Sequence, residues 1–232
     1  MATGAHFRFV KTVVTLPKAA DFANQVNGYG VSVHLWSSNR VLVLGLSDTT
    51  AAAAPYSAAV VVFDRSTHNL ICATANNTCP NVGAAWLDSR NQFPAGDTVL
   101  ISEFYSRTQG FDRFTVNDQT SGQSLIFTLK DTTSELYGQA RVGAEFGCTP
   151  WAACGGGQVA YTPPLQEKHL VSFTNTRLTT YSGLKTSLIA PWTHSKLFMT
   201  ADGTSTTAIE AAPHGLWNSG MNFGVFLEPA PL

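Results

Sequence analysis

The sequence contains few charged side chains. Asp, Glu, Lys and Arg together make up 12% of the 232 residues, and the formal net charge is −1. No basic stripe is present that would attract nucleic acid or an anionic membrane, and no acidic tail is present. We therefore expect no nucleic-acid partner. The expected partners are a peptide, a sugar, another protein or a second copy of the chain.

Long apolar runs are also missing, although 44% of the residues are hydrophobic. No run reaches the eighteen residues that a membrane-spanning helix needs, so no membrane span is predicted. The first six residues, Met1 to His6, lack the basic and apolar regions of a signal peptide. Two locations stay open: the cytoplasm, or secretion of a mature form whose leader is absent from this sequence.

Familiar catalytic and cofactor motifs are absent as well. The sequence has no Gly-x-Ser-x-Gly elbow, no His-Glu-x-x-His pair and no glycine-rich phosphate loop between a strand and a helix. The six histidines are scattered, with none at the i, i+2 or i, i+4 spacing of metal ligands. We therefore predict no metal site and no cofactor.

The four cysteines form two local pairs, Cys72 with Cys79 and Cys148 with Cys154. Each pair lies in a segment rich in Asn, Gly and Pro, which favours two small disulfide loops; free thiols and zinc ligation are the alternatives. The spacings are not those of a zinc ligand set. Disulfides favour secretion, and Asn76 begins a glycosylation sequon inside the first loop.

Turn residues separate short runs of β-branched and aromatic residues along most of the chain, most clearly between Phe93 and Glu145. This pattern predicts antiparallel strands. We expect an all-β fold, a jelly-roll-like (concanavalin-like) sandwich of two antiparallel sheets, as a single domain over residues 1–232. A cysteine-containing insertion is expected at about 65–92 and a cysteine loop at about 147–157.

Several side chains receive a specific prediction. Val41 to Leu44 contains no polar residue and should be buried on both faces, and Trp36 is expected in the core. Trp151, Trp192 and Trp217 lie beside Pro, Gly or Cys in predicted loops, where they either pack against the loop or stack on a sugar or partner. Six aspartates flank predicted turns and are expected to cap them: Asp64, Asp88, Asp97, Asp112, Asp118 and Asp131.

The order of several short segments resembles the G1 glutamic peptidases, also called eqolisins, which include scytalidoglutamic peptidase. The clearest similarity is a Gly-Asp turn at Gly96-Asp97 that leads into a strand, followed by Thr120 to Ser124 (TSGQS). Weaker similarities of pattern and spacing cover most of the chain: Thr12 to Pro17, Val41 to Leu46, Tyr56 to Asp64, Ala140 to Glu145, His169 to Thr179 and Lys196 to Gly203. The resemblance implies a secreted acid protease fold built as a two-sheet sandwich.

The resemblance also implies where catalytic residues would stand. Peptidases of this family use a Glu as general base and a Gln that stabilises the oxyanion. The Gln position corresponds to Val43 and the Glu position to Arg141, and neither side chain can perform these roles. Glu145, on the same predicted strand as Arg141, is the fallback carboxylate if the register differs.

These observations favour a non-catalytic, glutamic-peptidase-like sandwich that acts as a secreted interaction or structural protein, with self-assembly as one form of that role. Two alternatives come from other classes. One is a lectin-like carbohydrate-binding module that uses Trp151, Trp192 and Trp217. The other is an acid-acting glutamic endopeptidase with a displaced dyad.

Overall fold

The computed structural model contains sixteen β-strands and, among the residues it describes, no α-helix. It describes residues 1–18, 29–47, 56–67, 69–74, 79, 92–130, 135–146, 169–188, 193–194, 199–200, 209–219 and 221–227. The strands are β1 (Ala2–Thr15), β2 (Tyr29–Trp36), β3 (Arg40–Ser47), β4 (Tyr56–Asp64), β5 (Leu70–Ala73), β6 (Gln92–Phe93), β7 (Thr98–Ser106), β8 (Phe111–Asp118), β9 (Ser124–Lys130), β10 (Tyr137–Phe146), β11 (His169–Thr180), β12 (Lys185–Thr186), β13 (Thr193–His194), β14 (Met199–Thr200), β15 (Ile209–Trp217) and β16 (Asn222–Leu227). In this part of the chain no helix is long and apolar enough to cross a membrane.

Strand β1 belongs to both sheets of the sandwich. Its first residues, Ala2 and Thr3, pair with β10 on one side and β13 on the other, whereas Phe9 to Val14 lie between β7 and β11. The register shifts between Thr3 and Phe7, where Gly4 has a φ of 94°. A positive φ is easily reached by glycine, and an irregularity of this kind bends a strand. The bend lets one strand pass from the first sheet to the second.

All strand pairs are antiparallel. The first sheet runs from the start of β1 through β10, β2, β3 and β4 to β5, with β6 also on β4. The second runs β9-β8-β7-β1-β11-β16-β15-β14, with β12 also on β11. The predicted all-β sandwich is therefore confirmed.

The main hydrophobic core fills the space between the two sheets. Alternation along β2 places Val31, Val33 and Leu35 in this core with their side chains fully buried, as the sequence pattern predicts. Members of both sheets meet there, for example Leu44 of β3 and Phe114 of β8. This shared burial of apolar surface is the main force that holds the sheets together.

A second, smaller apolar cluster forms from residues that alternate with those of the main core. It contains Val41, Val43, Val61 and Ala73, and Trp36 packs against it. The prediction that Val41 to Leu44 is buried on both faces is confirmed, since even Val43 is only 2% exposed. The outward-alternating face of β3 and β4 is therefore apolar and closed to solvent at this point.

A compact corner joins the end of β1 to the β7–β8 hairpin. The amide of Gly96 donates to the carbonyl of Leu16 at 2.7 Å, and the amide of Leu16 donates to the carbonyl of Asp97 at 2.9 Å. At the same end of the hairpin, where Val99 stands opposite Asp118, the Asp118 carboxylate accepts hydrogen bonds from the amides of Thr120 (2.8 Å) and Ser121 (3.2 Å) and from the Ser121 hydroxyl (2.5 Å). The two segments whose sequence resembles the glutamic peptidases thus meet at one corner.

The aspartate predictions divide into two groups. Asp64 and Asp118 accept hydrogen bonds from their turns as expected; those to Asp64 come from the amides and hydroxyls of Ser66 and Thr67. The prediction is wrong for Asp112, which is the second residue of β8 and has a fully buried side chain. Asp112 follows the turn that ends at Gly110, but the alternation of β8 carries its side chain into the core.

One disulfide is present in the described part of the chain, between Cys72 and Cys79, as predicted. Cys148, Cys154, the sequon at Asn76, Asp88 and Asp131 lie outside the described residues. The short strand Lys185–Thr186 pairs with β11.

Replacing Asp118 with Ala should destabilise the fold by about 1–3 kcal/mol, because it removes three hydrogen bonds to a tight turn. Urea denaturation with a common m-value measures this loss. Gln119→Ala is the control, since the bond from the Gln119 amide to the Thr98 carbonyl is kept. Equal stability of the two variants would contradict the structural role of the Asp118 turn.

Candidate functional site

The positions that the family resemblance assigns to catalysis lie in one row across the first sheet. Arg141 of β10 stands opposite His34 of β2, His34 opposite Val43 of β3, Val43 opposite Val61 of β4, and Val61 opposite Ala73 of β5. Directly opposed residues of antiparallel strands project to the same face. The row begins with a cation and an imidazole and ends in the small apolar cluster.

Trp36 organises the polar end of this face. The guanidinium of Arg141 lies 3.5 Å from the centre of the Trp36 ring, and the guanidinium of Arg65 lies 5.7 Å from it. Both are cation–π contacts, which are stronger when the groups are partly removed from water. Arg141 also donates to the side-chain oxygen of Gln139 at 3.3 Å, and Arg65 donates to the carbonyl of Ser37 at 2.6 Å. The two cations are thus held in place around one indole.

His34 is held on the same face by its neighbours on β2. The indole nitrogen of Trp36 donates to Nδ1 of His34 at 3.4 Å, and Nε2 of His34 lies 2.7 Å from the hydroxyl of Ser32. Because Nδ1 accepts a hydrogen bond, this network assigns the proton of the neutral ring to Nε2. His34 is then a donor to Ser32.

The Ser32–His34 contact has the length of a nucleophile–base pair but the opposite polarity. In a serine hydrolase, the nitrogen that faces the hydroxyl must accept its proton, and a third group must accept a hydrogen bond from the other nitrogen. Here the third group, Trp36, is a donor. The Ser32 side chain is also buried. This arrangement positions an imidazole and does not activate a serine.

Neither position inferred for the glutamic dyad carries a suitable group. The side chain of Val43 has no hydrogen-bonding atom, and the guanidinium of Arg141 accepts no proton at accessible pH. Glu145 belongs to β10 and its backbone stands opposite Gly30 of β2, four residues along the strand from Arg141. Its side chain lies outside the described part of the structure.

Two buried carboxyl groups lie elsewhere, between the sheets. Glu103 of β7 and Asp112 of β8 have no exposed surface, and burial, followed by the charge of Asp112, raises the pKa of Glu103 well above its usual 4.5. A raised pKa is typical of catalytic acids. This pair, however, is sealed in the main core, where no substrate reaches it. Among the described residues no group of three or more His, Cys, Asp or Glu side chains could hold a metal ion.

Of the tryptophans predicted as binding residues, only Trp217 is described. It ends β15, pairs with Asn222 and is 40% exposed at a hairpin whose turn residues Asn218 and Ser219 both have positive φ. Trp151 and Trp192 lie outside the described residues. The structure brings Trp217 into no contact with the row of Arg141 and His34 among the described residues.

Sequence reasoning missed Trp36. It was expected in the main core because it ends an apolar strand, but it alternates with Leu35 and lies on the opposite face, partly buried beside His34. The signal was present in the sequence, since the strict alternation of β2 separates Ser32, His34 and Trp36 from Val31, Val33 and Leu35. What the sequence alone did not show was that Arg65 and Arg141 converge on the Trp36 ring.

Comparison with known proteins supports the fold assignment. No family model matches the sequence, and no curated protein matches it significantly. Among solved structures, a complex of scytalido-glutamic peptidase with a transition-state analogue is similar at a TM-score of 0.61 and 14% identity, covering 96% of this chain and 93% of that one. SCP-B, described as a member of the eqolisin family in complex with the tripeptide Ala-Ile-His, is similar at a TM-score of 0.59 and 13% identity, covering 96% of this chain and 93% of that one.

The aspergilloglutamic peptidase of Aspergillus niger is similar at a TM-score of 0.52 and 13% identity, covering 87% of this chain and 99% of that chain. At such low sequence identities, the structural similarity establishes a shared fold. Activity has to be argued from the residues of the site. The chain has the fold of the G1 glutamic peptidases.

Proposed function

We propose that this protein is a non-catalytic, secreted member of the glutamic-peptidase fold that binds a protein or peptide partner. The proposed binding surface is the cation–aromatic face, formed by His34, Trp36, Arg65, Gln139 and Arg141. The observation that carries the proposal is the stacking of Arg141, at the position inferred for the catalytic Glu, on Trp36.

The loss of hydrolysis follows from the chemistry of two positions. Amide hydrolysis by this type of mechanism needs a base for the attacking water and a donor for the developing oxyanion. Arg141 supplies no base and Val43 no donor. Val43 is moreover buried in the second apolar cluster, so a scissile bond does not reach it.

The same face is suited to recognition. Arg141 and Arg65 present positive charge around an aromatic ring, and Gln139 adds an amide that can donate and accept hydrogen bonds. Arginine and tryptophan are enriched among the residues that dominate binding energy at interfaces. The complementary partner is an extended segment with acidic side chains.

Two further observations support the proposal. A protein of the same fold, SCP-B, has been solved with a bound tripeptide, so this architecture can present a surface to a peptide. The Cys72–Cys79 disulfide favours an oxidising compartment and thus secretion.

The wild-type protein should not cleave denatured protein substrates between pH 2 and pH 5. The assay compares it with the Val43→Gln/Arg141→Glu double variant and with an acid endopeptidase as positive control. The expected result is intact substrate with the wild type after prolonged incubation.

Cleavage by the wild type would overturn the non-catalytic assignment. In that case Glu145→Gln separates the possibilities: loss of cleavage in this variant identifies a displaced dyad that uses Glu145, the fallback carboxylate.

Arg141→Met should weaken binding of acidic peptides at least ~10-fold, because one charge-assisted contact contributes about 1.5–3 kcal/mol. Binding is measured by calorimetry with an acidic octapeptide selected from an array that also holds neutral and basic sets. Arg113→Met is the matched control, since Arg113 lies 5.2 Å from the Phe111 ring on the exposed side of β8.

Equal weakening by both arginine variants would show a general effect of charge and contradict the assignment of the face.

Trp217→Ala tests the carbohydrate-binding alternative, which the exposure of Trp217 favours. If sugar binding is found and is lost in this variant, the hairpin and not the cation–aromatic face is the ligand site. A mass above one chain by light scattering would identify a second copy as the partner.

A further inference from the structure

The β7–β8 hairpin contains the buried carboxyl pair of Glu103 and Asp112. Glu103 stands opposite Phe114 and Asp112 opposite Tyr105, so the two acids are diagonal neighbours on the core face of adjacent strands. Diagonal pairs lie within reach of long side chains. Neither carboxylate oxygen of Glu103 has a hydrogen-bond partner. An ionised, fully buried carboxylate without such partners is strongly destabilising.

The groups that surround Glu103 are mostly uncharged. On β1 it stands opposite Val10, with Arg8 and Thr12 two positions away, and on β7 its core-facing neighbours are Ile101 and Tyr105. β2 and β3 also pack against β7, and their core-facing residues are aliphatic: Val31, Val33, Leu35, Leu42, Leu44 and Leu46. The titratable group of β2, His34, is on the opposite face.

We propose that the Glu103–Asp112 pair is a pH-sensitive lock, which keeps the β7–β8 hairpin closed while the pair holds a proton and loosens it when that proton is lost. Two adjacent ionised carboxylates in the core repel each other and cannot be hydrated unless the strands separate. Among the described strands β9 pairs with β8 alone, so it can follow the movement of the hairpin at the edge of the second sheet.

The direction of the effect follows from linkage. Burial and the charge of Asp112 both raise the pKa of Glu103, so the folded state binds more protons than the unfolded state above pH 4.5. Stability must then fall as the pH rises from 4.5 through the folded-state pKa, and be independent of this group below 4.5. Glu103 therefore makes the fold less stable as the pH rises above 4.5.

A second carboxyl pair, Asp97 and Asp118, lies at the open end of the hairpin. Burial raises the pKa of Asp97, as do its hydrogen bond to Asp118 and the charge of Asp118. Burial also raises the pKa of Asp118, but hydrogen bonds from Ser121 and Thr120 lower it, and the net shift of this pKa is downward. The contributions of Asp97 and Asp118 to stability therefore change in opposite directions as the pH rises, and comparison with Glu103→Gln separates the contribution of Glu103 from both.

The direct test is a carbon-13 NMR titration of the carboxyl groups of the six glutamates in the intact chain. The expected result is one carboxyl, identified by its loss in Glu103→Gln, that titrates well above the other glutamates and titrates at lower pH in Asp112→Asn. Titration of all six near their usual value would overturn the proposal. This measurement needs folded wild type and two folded variants.

Thermal melting between pH 4 and pH 8 provides the stability test. We expect the Tm of the wild type to fall by at least ~4 °C more than that of Glu103→Gln over this range. Glu135→Gln, a partly exposed control, should follow the wild type. Parallel profiles of wild type and Glu103→Gln would overturn the proposal.

Hydrogen exchange locates the opening. After correction for the intrinsic rate, amides of β8 and β9 should lose protection with rising pH before those of β2 and β3. Uniform loss of protection across both sheets would contradict a local lock.

Discussion

The fold depends on one strand, β1, which is hydrogen-bonded in both sheets. Ala2 and Thr3 join the sheet that carries the candidate site, and Phe9 to Val14 join the sheet that carries the β7–β8 hairpin. Its core-facing residues Val10 and Val14 are buried where the two sheets face each other. Because the same backbone sets the register of β10 and of β7, the cation–aromatic face and the buried acid pair have fixed positions in one framework.

The two faces of the first sheet have different roles. The inner face is formed by apolar side chains that hold the sandwich together, as Leu35 and Leu44 illustrate. The other face changes along one row from Arg141 and His34 to the closed apolar cluster of Val43. The inner face and the polar end of this row are thus chemically distinct parts of one sheet.

Much of the fold could be predicted from periodicity and turn chemistry. Strands β7, β8 and β9 lie in the segment from Phe93 to Glu145, where turn residues and alternation predict antiparallel strands, and local spacing correctly paired Cys72 with Cys79. Asp112 and Trp36 were predicted wrongly for a common reason: residue type was given more weight than the alternation of side chains along the strand. The convergence of Arg65 and Arg141 on Trp36 joins three strand regions far apart in sequence, and the meeting of Glu103 with Asp112 depends on strand register. Neither contact has a local sequence signal.

The central claim is that the face around Trp36 and Arg141 is a binding surface and not a catalytic cleft. Its most direct test is amide chemical-shift mapping of the labelled protein during titration with an acidic octapeptide. The account predicts perturbations concentrated on β2 and β10 around His34, Trp36 and Arg141, with the peptide remaining intact. Perturbations centred on the Trp217 hairpin, or cleavage of the peptide during the titration, would contradict it.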